Sequence, residues 1–377
     1  MVDLDDLTVE RAAALLAARE LSAGELVEAT LERIAVTEPA VNAYAHVAAA
    51  SAREAAERAD REPPRGPLHG IPFGIKDVFD TRDAPTEAGS AVLAGRRPRR
   101  DATVVRRLRE AGAILVGKHV THEFASGQNT PPTRNPWRLD RYPGGSSVGG
   151  GASVAVGSCL LGVGSDAGGS VRKPACVSGV VGFKPTFGRV SGAGVVAGAT
   201  VPSVDHVGLF TRTAADAALV LQVVAGADAG DPRTARVPPL AALPRLDASL
   251  HGVRLAIPRL DRFGDAPDAE VAVAFEAALG VLRELGAELT TIDLPAMRLA
   301  LPAALTIIAI EMAPSHRRRL TESAAQYTAA TRQFLEFATL APVAHLEAAL
   351  RAQARIRAEL RDAVRAAGVD GLVLPTL

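Results

Sequence analysis

Two glycine-rich loops, separated by a short segment of small and apolar residues, constrain this chain more than any other feature. The first loop spans residues 144–151 and the second spans residues 162–170. Glycine loses more chain entropy on folding than any other residue, so this density of glycines indicates a backbone that passes close to a ligand or a developing charge. Because serines accompany the glycines in both loops, the pattern favours a chemical site over simple turns.

Short apolar strands alternate with helical segments along the chain. Strands are predicted at residues 71–76, 113–117, 160–163, 253–257, 288–292 and 372–374. Helices are predicted at residues 22–36, 48–59, 102–111, 148–159, 213–225, 269–285 and 341–367, with further helices starting after Thr8 and at Ser170. This alternation predicts an α/β fold in which helices cover both faces of a sheet. The proline-rich stretch 238–244 is interpreted as a loop within one large domain.

The bulk composition excludes several classes of partner. The 377 residues are 48% hydrophobic and carry a formal net charge of +0, without a long run of one sign. A neutral chain of this kind is a poor match for nucleic acid or an anionic membrane. The N-terminus is acidic, unlike a signal peptide, and no uninterrupted apolar stretch reaches the roughly 18 residues of a membrane helix. We therefore expect a soluble, cytoplasmic protein.

The two cysteines, Cys159 and Cys176, lie among small apolar residues. Two cysteines are too few for a disulfide framework, so both are predicted to be buried free thiols. A cofactor is not expected either. The segments 162–167 and 192–197 match a loose dinucleotide-binding pattern, but the first lacks the acidic residue that should follow about 20 positions later.

Ser170 is a candidate nucleophile. It follows two glycines and precedes a predicted helix, where successive N–H groups converge on an anion. A plain helix cap explains the same serine equally well, so both interpretations stay open on this pattern alone.

The base that would activate such a serine has two candidates. Only four of the 42 basic residues are lysines, Lys76, Lys118, Lys173 and Lys184. Unlike arginine, a buried lysine can lose its proton, and the apolar neighbours of Lys76 would lower its pKa toward neutrality. His206 is the best histidine for a Ser-His-Asp triad, but no motif marks it as a base.

Three motifs together resemble the amidase signature family of serine amidohydrolases. They are Gly70-Ile-Pro-Phe-Gly-Ile-Lys76-Asp, Pro143-Gly-Gly-Ser146-Ser147 and Gly164-Ser-Asp-Ala-Gly-Gly-Ser170-Val-Arg-Lys-Pro174. The segments 179–189 and 203–208 also fit. The resemblance implies one large domain over residues 1–377, with a helical region at about 1–60, a signature core at about 70–210 and a central mixed sheet.

The resemblance also implies a Ser-Ser-Lys triad. Ser170 is the expected nucleophile, Ser146 the bridging serine that follows a cis peptide bond, and Lys76 the neutral base. The expected oxyanion hole consists of the N–H groups of Ala167, Gly168, Gly169 and Ser170. Gly145, Ser147 and Arg172 are expected to support the site, for Arg172 with carboxylate binding as an alternative.

The expected activity is hydrolysis of a small-molecule amide without a cofactor or metal. A glutaminase subunit of a tRNA-dependent amidotransferase is one alternative. Members of the family continue past a Pro-Thr motif like Pro375-Thr376, so the C-terminal part is expected to be truncated, and an inactive remnant is a third alternative. The substrate stays open, as does the choice between a monomer and a homodimer.

Overall fold

A computed structural model describes residues 2–238, 240, 249–264 and 266–376. The chain divides into two compact units, Met1–Leu243 with Met312–Thr339, and Pro244–Glu311 with Leu340–Leu377. Of the predicted loop at 238–244, residues 239 and 241–244 lie outside the described residues. The expectation of a single domain stays a prediction beside this division.

A six-stranded mixed sheet forms the centre of the first unit. Its strands are β1 (Tyr44–Val47), β2 (Pro72–Lys76), β3 (Ile114–His119), β4 (Leu161–Asp166), β5 (Val181–Phe183) and β6 (His206–Thr211). They lie in the order β1-β3-β2-β4-β6-β5. The inner strand β2 runs parallel to β3 and β4, whereas β1, β5 and β6 pair antiparallel with their neighbours. The α/β fold with a mixed central sheet is confirmed.

Helices of the first unit connect these strands. They are α1 (Val9–Ala18), α2 (Ala23–Val41), α3 (Ala49–Arg61), α4 (Thr103–Glu110), α5 (Val148–Ala155), α6 (Arg172–Ser178), α7 (Ala214–Val224) and, later in the chain, α10 (Ala329–Thr339). The helix start predicted at Ser22 is confirmed. Its hydroxyl accepts from the Glu25 N–H, and the Glu25 carboxylate accepts from the Ser22 N–H, which satisfies two backbone donors at once.

The second unit contains a separate three-stranded parallel sheet. Its strands are β7 (Arg254–Pro258), β8 (Glu288–Ile292) and β9 (Gly371–Leu372), in the order β8-β7-β9. Its helices are α8 (Ala269–Glu284) and α11 (Val343–Ala367), and the long helix α9 (Ala300–Ser323) belongs to both units.

Two sequence predictions about the second glycine loop are wrong. Helix α6 begins at Arg172 and not at Ser170, which lies in the preceding turn and does not cap the helix. Cys176 is exposed rather than buried, because it lies one turn after the exposed Arg172 on the same side of α6. Cys159 is a buried free thiol, as predicted.

One segment, Pro295–Gln326, is long and apolar enough to cross a membrane by length and composition. A core helix of a soluble protein meets the same criteria, so this segment alone is weak support for a membrane span.

Candidate active site

Parallel pairing of β2 with β4 brings two polar side chains to the same edge of the sheet. Lys76 is the last residue of β2, and Ser165 is the penultimate residue of β4. The two strands are in register at Ile75 and Val163, so their carboxyl ends lie side by side. The Lys76 Nζ donates to the Ser165 Oγ at 3.0 Å.

The same ammonium group contacts the first glycine loop. The Lys76 Nζ donates to the Ser146 Oγ at 2.8 Å, and both side chains are buried. The Gly145–Ser146 peptide bond is cis, as the family resemblance implied. The Ser146 carbonyl accepts from the His122 N–H at 3.1 Å, which ties this loop to the segment after β3. Lys76 and Ser146, which are 70 positions apart, are therefore brought together.

Burial favours the neutral form of Lys76. Loss of water around the ammonium lowers the pKa of Lys76 to about 7, against the opposing negative charges of Asp205 and Asp166. Burial also raises the pKa of Asp205, which the positive charge of Lys76 partly offsets. A lysine with such a pKa can accept a proton near neutral pH.

Ser170 lies beside this pair on the second glycine loop. Its carbonyl accepts from the Ser147 N–H at 3.2 Å, so the two glycine loops are joined through their backbones. The Ser170 side chain is partly exposed, and its hydroxyl makes no hydrogen bond within the described part of the chain. A substrate can therefore reach it from solvent.

The backbone N–H groups before Ser170 differ from the predicted set. The Gly169 N–H donates to the Asp166 Oδ1 at 2.7 Å, so it is already used inside the loop. This corrects the expectation that all four N–H groups from Ala167 to Ser170 face a substrate. Across the described residues, the N–H groups of Ala167, Gly168 and Ser170 make no hydrogen bond with the chain.

Asp166 holds the loop and the start of α6 together. Its carboxylate accepts from the N–H groups of Gly169, Val171 and Arg172 and forms a two-pronged ion pair with the Arg172 guanidinium, at 2.8 and 3.0 Å. Burial alone raises the pKa of Asp166, but Arg172 and the backbone donors outweigh it and hold that pKa well below its usual range. Arg172 is thus committed to a structural ion pair.

Gly145 and Ser147 lie on either side of Ser146 and have separate contacts. A Cβ at Gly145 would lie 2.3 Å from the Tyr142 hydroxyl and 2.5 Å from the His122 Nε2, so no larger residue fits. The Ser147 Oγ donates to the Ser165 carbonyl at 3.2 Å. Ser147 therefore links the loop to the end of β4.

A histidine and a tyrosine beside Ser146 were not predicted. The Tyr142 hydroxyl and the His122 Nε2 are hydrogen-bonded at 2.7 Å. Burial, together with the positive charges of Lys76 and Lys173, lowers the pKa of His122 to about 4, so the ring is neutral near pH 7. Burial raises the pKa of Tyr142 to about 12.

His206, the alternative base, is placed elsewhere. Its Nδ1 is hydrogen-bonded to the Asp166 carbonyl at 3.2 Å, and its ring packs edge-on against Phe187. Within the described ranges, no hydrogen bond joins the His206 ring to Ser170. The geometry thus favours Lys76 over His206.

Two further polar residues of this region were not predicted from the sequence. Ser165 stands out only as part of a motif, and Asp205 only as the neighbour of His206. Strand alternation after the start of β4 was the available signal for Ser165, because every second side chain points to one face. For metal binding, the described ranges contain no group of three or more His, Cys, Asp or Glu side chains that could hold an ion.

Comparison with known proteins agrees with this geometry. The family model described as Amidase matches residues 25–377. A subunit of glutamyl-tRNA(Gln) amidotransferase from Chloroflexus aggregans is 44% identical over 311 residues, which cover 80% of this chain and 63% of that relative. The match thus spans less than two thirds of the relative's length.

Solved structures extend the similarity to nearly the whole chain. A crystal structure of an amidase has a TM-score of 0.84 and 32% identity, covering 98% of this chain and 81% of that one. A peptide amidase in complex with the competitive inhibitor chymostatin has a TM-score of 0.84 and 28% identity, covering 98% and 85%. On the family match and these similarities, the chain belongs to the Amidase family.

Proposed function

We propose that this protein is an amidase that hydrolyses a carboxamide to a carboxylic acid and ammonia or an amine, through an acyl-enzyme on Ser170. The observation that carries the proposal is the buried hydrogen bond from the Lys76 Nζ to the Ser146 Oγ, at 2.8 Å, beside a loop that presents the Ser170 hydroxyl. A nucleophilic serine needs a base with a matched pKa, and burial supplies that pKa in Lys76.

Proton transfer through Ser146 couples the two ends of this arrangement. The Ser170 Oγ attacks the amide carbonyl carbon and gives its proton to the Ser146 Oγ, while Ser146 gives its own proton to the neutral Lys76. When the C–N bond breaks, the same path returns the proton to the leaving nitrogen. Water then attacks the ester carbonyl by the same relay, releasing the acid and restoring Ser170.

The negative oxygen of the tetrahedral intermediate needs donors fixed before the reaction. The N–H groups of Ala167, Gly168 and Ser170 are available for it, whereas the Gly169 N–H is held by Asp166. In this proposal, Asp166 and Arg172 shape the loop and do not contact the substrate.

Labelling with a fluorophosphonate probe tests the nucleophile and the base together. We expect the probe to label Ser170 and to leave Ser170→Ala unlabelled. Lys76→Ala and Ser146→Ala should lower kcat for amide hydrolysis by at least about a hundredfold, the usual contribution of general base catalysis. Lys76→Arg should not restore the rate, because arginine keeps its proton.

The opposite results have distinct meanings. Unchanged hydrolysis in Lys76→Ala or Ser146→Ala would refute the Ser-Ser-Lys assignment. Absence of labelling in well-folded protein would support an inactive remnant and contradict any serine amidase activity.

A second candidate function is that of the glutaminase subunit of a tRNA-dependent amidotransferase. It is favoured by the 44% identity to a relative named as part of glutamyl-tRNA(Gln) amidotransferase. A protein of this kind should hydrolyse glutamine faster when its partner subunits are present, and it should co-purify with them. Glutamine hydrolysis that ignores the partners would favour the independent amidase.

The proposal places the protein in the cytoplasm with a small-molecule substrate. The neutral net charge supports the absence of nucleic acid and membrane partners. Size-exclusion chromatography with light scattering will distinguish a monomer from a homodimer.

A further inference from the structure

Lys173 differs from the three other lysines in lacking a partner for its ammonium group. Lys76 contacts two serine hydroxyls, Lys118 pairs with Asp77 at 3.1 Å, and the Lys184 Nζ donates to the Pro185 carbonyl at 3.1 Å. The Lys173 side chain makes no hydrogen bond or ion pair with any residue that the structure describes, although the residue is half-buried. Most cations that are withdrawn from water have a counter-ion.

The stem of Lys173 lies against the nucleophile loop. The Lys173 N–H donates to the Gly169 carbonyl at 2.7 Å, in the turn that carries Ser170. The Lys173 side chain then folds back over Gly169, where its Cε lies 3.0 Å from the position that a Cβ would take. Gly169 has a φ of +102° and no side chain of its own, so it leaves room for this stem.

The other glycine loop covers the backbone of Lys173. A Cβ at Gly144 would lie 3.0 Å from the Lys173 carbonyl carbon and 2.7 Å from the Pro174 backbone nitrogen. Lys173 is therefore held between the loop of Ser146 and the loop of Ser170. Its charge also reaches the ring of His122, whose pKa it lowers. The ammonium group is thus placed on the Ser146 side of the site.

The neighbouring cations do not compete for an anion in the same way. Arg172 is occupied by the two-pronged ion pair with Asp166. Lys76 has to be neutral to act as the base. A carboxylate on a substrate would therefore find its best partner in the Lys173 ammonium, which offers three donors and full charge.

We propose that Lys173 binds a carboxylate group of the substrate, so that the preferred substrates are carboxamides carrying a carboxylate a short spacer away from the reacting carbonyl. This inference rests on the proposed amidase function and names the substrate class of the same site. Lys173 takes no part in the proton relay; it orients the amide over Ser170 by holding the far end of the molecule.

Succinamate and succinamide form a matched pair of substrates for the test. They have the same carbon chain, but a neutral carboxamide replaces the carboxylate in succinamide. We expect kcat/KM to be at least about tenfold higher for succinamate, the effect of one good charge-assisted hydrogen bond. Lys173→Met keeps the stem over Gly169 and should bring the two values together by lowering only the one for succinamate. Lys173→Arg should keep the preference.

Lys184→Met is the matched control. Lys184 is also a half-buried lysine whose charge acts on the Asp166–Arg172 region, but its ammonium already has a carbonyl partner. Its removal should leave the succinamate preference unchanged. An equal loss in Lys184→Met and Lys173→Met would mean that the preference comes from the general field of the site, and would overturn the proposal.

Binding measurements separate this inference from the proposed function. Calorimetric titration of the full chain carrying Ser170→Ala with succinamate should give heat that is lost on adding Lys173→Met. If Ser170 is never labelled by the probe but this binding persists, the amidase function fails and the carboxylate site stands. If Ser170 is labelled but both amides react equally, only the carboxylate site is refuted.

Discussion

Among single residues, Lys76 determines how the rate should depend on pH. A lysine can act as a base only when neutral, and burial lowers its pKa to about 7. We expect kcat/KM to fall about tenfold per pH unit below about pH 6 and to level off above about pH 8, because the neutral fraction follows that titration. A pH profile with a neutral amide substrate measures this. A rate independent of pH over this range would contradict a lysine base.

Asp205 offers a sharper version of the same measurement. Its negative charge raises the pKa of Lys76 toward the ordinary lysine value. Removing that charge in Asp205→Asn should therefore lower the Lys76 pKa further and move the acid limb of the profile to lower pH. Glu322→Gln, an exposed carboxylate paired with Arg318, is the control and should leave the profile in place.

The single residues that escaped prediction all depend on contacts across the sheet. Lys76 and Ser146 could be named because their motifs resemble a known family. Ser165 contacts Lys76 across 89 positions, and nothing in its own neighbourhood distinguishes it from any other strand serine. The use of the Gly169 N–H by Asp166 was equally invisible, because it depends on how the turn closes.

At the scale of elements, local patterns predicted best where a cap or a buried strand has its own chemistry. The reciprocal cap at Ser22 and the strand Glu288–Ile292 were found where predicted. The edge strand Tyr44–Val47 and the strand His206–Thr211 were missed. The former has only four residues, of which three are not fully buried, so its sequence lacks a strong apolar pattern.

Helix α5 shows why the segment between the two glycine loops consists of small residues. Three successive glycines, Gly149 to Gly151, approach three different neighbours. A Cβ at Gly149 would lie 2.0 Å from the Ala43 carbonyl oxygen, and one at Gly150 would lie 2.6 Å from the Phe210 ring. The helix sits where it does because these positions have no side chains.

Gly149→Ala should therefore destabilise the protein although alanine is the better helix former. The clash is with backbone and cannot be relieved by a side-chain rotation, so we expect a loss of about 2–3 kcal/mol or more in the free energy of unfolding. Gly280→Ala, also within a helix but with no described atom within 4 Å of its Cβ position, is the control. It should stabilise by about 0.5–1 kcal/mol. Urea unfolding that ranks the two variants the other way would contradict this account.

At the scale of the whole molecule, the first unit is built from two distant parts of the sequence. Residues 312–339 belong to it although about seventy intervening residues form part of the second unit. Buried His316 contacts both the Tyr327 hydroxyl, at 2.8 Å, and the Gly198 carbonyl, at 3.0 Å. Local propensity carries no information about such a return of the chain, which is why neither α9 nor α10 was predicted.

The contact between Glu123 and Thr328 tests how strongly that returning segment is held. The fully buried Glu123 carboxylate accepts from the Ser90 hydroxyl at 2.7 Å and from both the N–H and the hydroxyl of Thr328, 205 positions away. Thr328→Val removes one donor to a buried charge, so we expect the free energy of unfolding to fall by about 1.5–3 kcal/mol. Thr321→Val is the control, since this exposed hydroxyl bonds only to the Arg317 carbonyl of its own helix and its loss should cost less than about 0.5 kcal/mol. Equal values for the two variants in urea unfolding would show that the Glu123 contact does not hold the segment in place, and docking would then depend on the apolar and aromatic packing around Phe124, His316 and Tyr327.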